Sequence, residues 1–122
     1  MNLQESGEMY LETIYILSKE RPHVRSIDIS EHMNYSKPSV SRAISILKKG
    51  DFVLVDENGF LVLTPSGLEI AKKIYERHLL LTRFLKKIGL DDETASADAC
   101  KMEHSISDKT FLAIQKHLEE SL

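Results

Sequence analysis

The 122-residue sequence predicts a mainly α-helical protein with one small β-hairpin, and three observations carry that prediction. Apolar residues recur at helical spacing over most of the chain. The period changes to short β-branched runs in one place, around Asp56-Glu57-Asn58-Gly59. Ser, Thr, Asp and Pro stand where the helices would open.

Met9, Leu11, Ile14, Tyr15 and Leu17 predict a first helix that ends at Glu20-Arg21-Pro22. Ser26 is placed to cap a short second helix carrying Ile27, Ile29 and Met33, and Asn34-Tyr35 to turn the chain. Ser36 is placed to cap a third. Pro38 falls in its first turn, where the missing N–H costs nothing, and Val40, Ala43, Ile44 and Leu47 form an i, i+3, i+4, i+7 stripe. Gly50 is expected to stop it. Phe52-Val53-Leu54-Val55 and Phe60-Leu61-Val62-Leu63 flank the Asn-Gly pair, the signal of a hairpin. Thr64-Pro65 opens a long helix with Leu68, Ile70, Ala71, Ile74, Leu79, Leu81 and Leu85 as apolar positions and Gly89 after it. Asp91 or Asp92 is expected to cap a helix carrying Cys100 to His104, and Ser107 a last one carrying Phe111, Leu112, Ile114 and Leu118.

With 42% hydrophobic and 29% charged residues the composition is that of an ordinary globular protein. No apolar run approaches the roughly 18 residues of a membrane span, and the first residues lack the pattern of a signal peptide, so a cytoplasmic protein with no membrane partner is expected. One cysteine excludes an internal disulfide. The net charge of −3 hides two opposed segments. Lys19, Arg21, Arg25, Lys37, Arg42, Lys48 and Lys49 outnumber the acids between residues 19 and 51, whereas acids dominate from Asp91 onward.

Helix, helix, turn, helix, hairpin, helix is the order of a winged helix-turn-helix, with the second and third helices as reader and the hairpin as wing. The third helix sets a polar face opposite its apolar stripe, inside the basic segment. Ser36, Lys37, Pro38, Ser39, Ser41, Arg42 and Lys48 are therefore the candidate DNA-binding residues. Small hydroxyls suit close approach at the helix N-terminus, Arg42 can reach a guanine, and Lys48 can meet phosphate. The acidic wing tip, Asp56-Glu57, is expected to add little affinity.

On a helix, Cys100, Glu103 and His104 project from one face. Thiolate, carboxylate and imidazole all bind first-row metals, but a divalent ion takes at least four donors, so others must come from elsewhere. His78 on the long helix, and Met9 with Glu12 on the first, are the candidates. Against this stands the reading of Cys100 as a packed thiol. His23, His32 and His117 have no comparable neighbours and are assigned to the surface.

Six dispersed segments occur in order along the chain: Glu8-Met9-Tyr10-Leu11-Glu12-Thr13-Ile14-Tyr15, Ser36-Lys37-Pro38-Ser39-Val40-Ser41, Leu63-Thr64-Pro65-Ser66-Gly67, Arg77-His78, Ile88-Gly89-Leu90-Asp91 and Ala99-Cys100-Lys101-Met102-Glu103-His104-Ser105-Ile106-Ser107-Asp108. Together they resemble the diphtheria toxin repressor family of metal-dependent transcription repressors. The resemblance implies a winged helix-turn-helix DNA-binding domain over 1–70 and a helical metal-binding and dimerisation domain over 71–122. It implies a primary metal site of Met9, Cys100, Glu103 and His104, as in the iron-responsive branch, and a second site in which Glu12 and His78 join Glu103, as in the manganese-responsive branch. Iron-type relatives place a glutamate and a histidine where Thr82 and Ser96 stand here, and manganese-type relatives place carboxylates at Met9 and Cys100. The chain is a hybrid of the two patterns.

The implied function is a metal-activated repressor of metal-uptake genes, a homodimer on a palindromic double-stranded DNA operator. Thioether and thiolate are softer than carboxylates, which favours Fe(II) over Mn(II), while Co(II), Ni(II) or Zn(II) would substitute in vitro. Two alternatives are a Mn(II)-responsive repressor of the same family and a winged-helix DNA-binding protein independent of metal. No general base or oxyanion donors accompany the cluster, so neither an enzyme nor a small organic substrate is expected. Larger iron-type relatives carry an SH3-like domain; the chain ends at Leu122 and is expected to be a short form without it.

Overall fold

A computed structural model describes residues 5–120. In chain order they form α1 (Glu5–Glu20), α2 (Ser26–Met33), α3 (Lys37–Lys49), β1 (Val53–Val55), β2 (Leu61–Leu63), α4 (Pro65–Lys87), α5 (Asp92–Met102) and α6 (Asp108–Glu120), the predicted order of helices and hairpin. The chain divides into two compact units, Met1–Lys72 and Lys73–Leu122, with α4 contributing its first turns to one and the remainder to the other. None of the described helices is long and apolar enough to cross a membrane.

In the first unit α1 packs on α2, α3 and β2, and α3 packs on α2 and β1. Leu11, Ile14, Leu17, Ile29, Val40, Leu47 and Val53 fill the space between them and are almost fully buried. Each such side chain contributes about 1.5–3 kcal/mol on leaving water. Ser36 caps α3 as its sequence predicts, Oγ accepting from Ser39 N at 3.3 Å, with Pro38 in the first turn. At α2 the cap lies one residue earlier than predicted. Arg25 occupies the N-cap position with extended backbone, and the Asp28 carboxylate accepts from Arg25 N at 2.8 Å, so an acid inside the first turn closes the helix rather than Ser26.

The end of α3 also departs from expectation. Gly50 has an ordinary negative φ of −80°, and the left-handed residue is Asp51, at φ 64°. What requires glycine at position 50 is space, since a Cβ there would stand 2.8 Å from the Phe52 ring. The hairpin pairs Val53 with Leu63, Leu54 with Val62 and Val55 with Leu61. Its connection is longer than a two-residue Asn-Gly turn. Asp56 Oδ1 accepts from both Asn58 N and Phe60 N at 2.9 Å, and Gly59 alone in the loop takes positive φ, 81°. The base of the wing is tied down. Leu61 N donates to Val24 O at 2.7 Å, the His23 ring stacks on Phe60 with centroids 4.1 Å apart, and the Arg25 guanidinium lies 4.7 Å from the same ring centre.

Thr64 begins α4, its Oγ1 accepting from Gly67 N at 3.1 Å while donating to Asp51 O at 2.7 Å. Leu79, placed by the sequence among the apolar positions of α4, is half exposed instead, because it leaves the stripe that Ile74, Leu81 and Leu85 follow. In the second unit Leu81, Leu85, Ala95 and Ala99 form the core, with Phe84, Met102, Ile106 and Ile114 packed against them. Asp91 caps α5, accepting from Thr94 N at 3.3 Å, and its bonds to Thr94 hold its carboxyl below the usual range. Ser107 caps α6, accepting from Thr110 N at 3.1 Å. His23, His32 and His117 are exposed.

Candidate metal centre and DNA-reading face

The helix carrying the thiol ends sooner than expected. Rather than continuing through His104, α5 stops at Met102; Glu103 is its C-cap, still in αR geometry with its N–H donating to Ala99 O, and His104 lies in the turn that follows. Both side chains nonetheless turn inward and are fully buried. Glu103 Oε2 lies 2.8 Å from Nδ1 of His78, which reaches it from α4, and Oε1 lies 3.3 Å from Nε2 of His104. Of the predicted ligands within the second unit, then, Glu103, His104 and His78 are brought together. Cys100 sits half-buried on α5, one turn before Glu103. Met9 and Glu12 lie on α1 of the first unit, three residues apart and so on one face, the former half-buried and the latter buried.

A carboxylate removed entirely from water costs several kcal/mol unless a positive charge or a metal compensates it. With a nitrogen donor facing each of its oxygens, Glu103 presents the mixed N/O donor set suited to a first-row divalent ion. These residues fit a first-row divalent metal. Thr82 and Ser96 supply no further ligand of the glutamate or histidine kind. The Thr82 hydroxyl donates back to His78 O at 2.7 Å, and Ser96 Oγ lies 3.5 Å from His78 Nε2. His78 and Thr82 line an open groove of about 280 Å³ together with Leu79, Arg83 and Lys86.

One residue at this centre escapes a sequence search for ligands. Arg77, only 6% exposed, directs its guanidinium at the α5–α6 turn. Nη1 donates to Glu103 O at 3.2 Å and to Ile106 O at 2.9 Å, Nη2 donates to Asp108, and the group lies over the Phe111 ring. Lys73 joins Asp108 at 3.2 Å. The Asp108 carboxyl is held below its ordinary range, first by Lys73 and then by Arg77, so these contacts persist at neutral pH and are lost only as the pH falls through that lowered value. The available signal was a charge at position 77 within the otherwise apolar Ile74–Leu81–Leu85 stripe.

In the first unit the predicted reader face is open to solvent. Ser36, Lys37, Pro38, Ser41, Arg42 and Lys48 are exposed and Ser39 is half-buried. The Ser36 hydroxyl donates to Ser39 Oγ at 2.8 Å, and Arg42 Nη2 donates to the same oxygen at 3.4 Å, which draws the guanidinium toward the helix N-terminus. Asp56 and Glu57 are exposed at the wing tip.

Residues 2–59 match the iron dependent repressor N-terminal DNA binding domain, and residues 64–121 match the iron dependent repressor metal binding and dimerisation domain. The chain belongs to the iron-dependent repressor family. It is 36% identical over 102 residues to the HTH-type transcriptional regulator MntR of Bacillus pumilus, covering 84% of this chain and 71% of that one. An HTH-type transcriptional regulator of Methanocaldococcus jannaschii is 33% identical over 121 residues, 97% of this chain and 96% of its own. Among solved structures, that of the manganese regulator SloR superposes with a TM-score of 0.83 at 30% identity over 98% of this chain. This repressor-family chain spans about half of SloR, 55% of its length. Members of the family are DNA-binding transcriptional regulators and not enzymes.

Proposed function

We propose that this protein is a metal-activated transcription repressor that binds double-stranded DNA as a homodimer, with Fe(II) as its metal. The observation that carries the reading is the fully buried Glu103 carboxylate with an imidazole at each oxygen, in a chain whose other unit exposes a basic, hydroxyl-rich helix face. Met9, Cys100, Glu103 and His104 would hold the primary ion, and Glu12 and His78 a second one beside Glu103. When bound, the metal would supply positive charge to donors drawn from α1, α4, α5 and the turn after α5. DNA affinity then rises with occupancy to the extent that the DNA-binding state holds metal more tightly, a coupling of about 1–3 kcal/mol per site. On the DNA side, Ser36, Lys37, Pro38, Ser39 and Ser41 approach the duplex closely, Arg42 reads a base edge and Lys48 meets phosphate.

The soft donors Met9 and Cys100 favour Fe(II). A second reading, a Mn(II)-responsive repressor, is supported by the resemblance to a relative described as a manganese regulator and by the presence of Glu12 and His78. An anaerobic fluorescence-anisotropy titration of the protein's own upstream DNA decides between them, run with Fe(II), with Mn(II) and with chelator, on the wild type and on Cys100→Ala. The expected result is binding only with metal, with Cys100→Ala weakening the Fe(II) response more than the Mn(II) response. Binding of equal strength with chelator would sink the metal-activated reading. A Mn(II) response untouched by Cys100→Ala, together with a weak Fe(II) response, would favour the second.

Arg42→Ala should cost about 1–3 kcal/mol of specific binding and relax preference at one base position, whereas Lys48→Ala should weaken binding to all sequences and flatten the salt dependence. Binding to a panel of single-base variants at two salt concentrations separates the two roles.

A further inference from the structure

We propose that Arg77 is the positioning residue of the metal centre, its guanidinium fixing the α5–α6 turn so that the Glu103 and His104 side chains are aimed before metal arrives. This inference rests on the metal reading above. Carbonyls in the turn that follows a helix have no intrahelical partner and, when buried, must be satisfied from elsewhere. Here Glu103 O and Ile106 O, at the two ends of the turn, are both taken by Nη1 of Arg77, while Nη2 holds Asp108 in the first turn of α6. One rigid, planar group therefore spans the segment from Glu103 to the start of the next helix. It does so from α4, one residue before His78, so the backbone that presents His78 also holds the turn that presents Glu103 and His104. The Phe111 ring lies against the guanidinium from α6, and Lys73 reaches Asp108 from one helical turn earlier on α4. Nothing in this arrangement touches the ligand atoms, so Arg77 acts through the backbone it holds. A lysine at 77 would retain the charge and a bond to Asp108 but lose the fork that grips two carbonyls and a carboxylate together.

The test uses the full chain, wild type, Arg77→Met, Arg77→Lys and Asp108→Asn, with Co(II) as the probe. Amide hydrogen exchange of Ser105 and Ile106 is followed in metal-free protein, and the Co(II) affinity and ligand-field spectrum are then recorded. Arg77→Met is expected to speed exchange in the turn about tenfold or more. It should also lower Co(II) affinity about 10- to 100-fold, the loss that follows when an outer partner of a metal ligand is removed. The absorption bands should move, which a general loss of stability would not cause. Arg77→Lys should recover part of the affinity, and Asp108→Asn should show the smaller loss of a single contact. Wild-type affinity and spectrum in Arg77→Met would overturn the proposal. If that variant does not fold, wild-type Co(II) behaviour in both Arg77→Lys and Asp108→Asn would do so. Absence of Co(II) binding in the wild type would instead overturn the metal reading, and the exchange data would still show whether Arg77 holds the turn.

Discussion

Glu103→Gln is expected to abolish the rise in melting temperature that metal gives the wild-type protein, with metal affinity falling by more than the roughly 10- to 100-fold typical of losing an outer partner. Without metal the variant should melt at the wild-type temperature or above it. The reason lies in the burial. Glu103 is 0% exposed, and burying its carboxylate costs several kcal/mol in desolvation, whereas an isosteric amide costs less and still offers an oxygen to His78 Nδ1. Metal affinity and apo stability therefore move in opposite directions, a pattern that a purely structural glutamate would not give. Thermal melts of both proteins with and without Mn(II) are sufficient, and a full metal-induced shift in Glu103→Gln would rule this residue out as a ligand.

The second large effect is far from the metal. Gly67→Ala should lower the melting temperature by roughly 10–20 °C, on the basis of about 2–3 kcal/mol for overpacking and about 4–8 °C per kcal/mol in a unit of this size. A Cβ at position 67 would stand 2.1 Å from Phe52 O, and backbone cannot swing aside as a side chain tip can. The same Phe52 carbonyl accepts from Thr64 N at 3.1 Å, so the start of α4 is pressed against the chain entering β1. Relief of the clash must separate the two, and DNA affinity should fall with stability because the hairpin is displaced. A melting temperature within a few degrees of the wild type would show that the helix start shifts at little cost.

Most of the element order follows from local chemistry. Ser36, Thr64, Asp91 and Ser107 cap the helices that their spacing predicts, because a side-chain oxygen and an amide three residues on are within one local geometry. Where reading failed, the deciding partner was either an alternative acceptor close by or something distant in sequence. At α2, Asp28 competed with Ser26 and won. At the end of α3, glycine was needed for the Phe52 ring and not for a left-handed turn. No breaker separates Cys100 from His104, so nothing local marks the end of α5 at Met102; the turn that follows is held from afar, its Glu103 and Ile106 carbonyls accepting from Arg77, 26 and 29 residues earlier. The candidate site follows the same division. Residue types at helical spacing single out Cys100, Glu103 and His104, but that His78 meets the first oxygen of the glutamate and His104 the second is a tertiary fact.

The way the wing is fastened bears on how the protein would find DNA. Its returning strand is bonded to Val24 between α1 and α2, and Phe60 is held between His23 and Arg25, leaving the loop from Asp56 to Gly59 as the part without such anchorage among the described residues. A hairpin clamped at its root arrives at a duplex already shaped, so little chain entropy is lost when it docks. Encounter would then be a matter of orienting one preformed body, with on-rates set by the proposed reader face and by ionic strength and not by a slow ordering step.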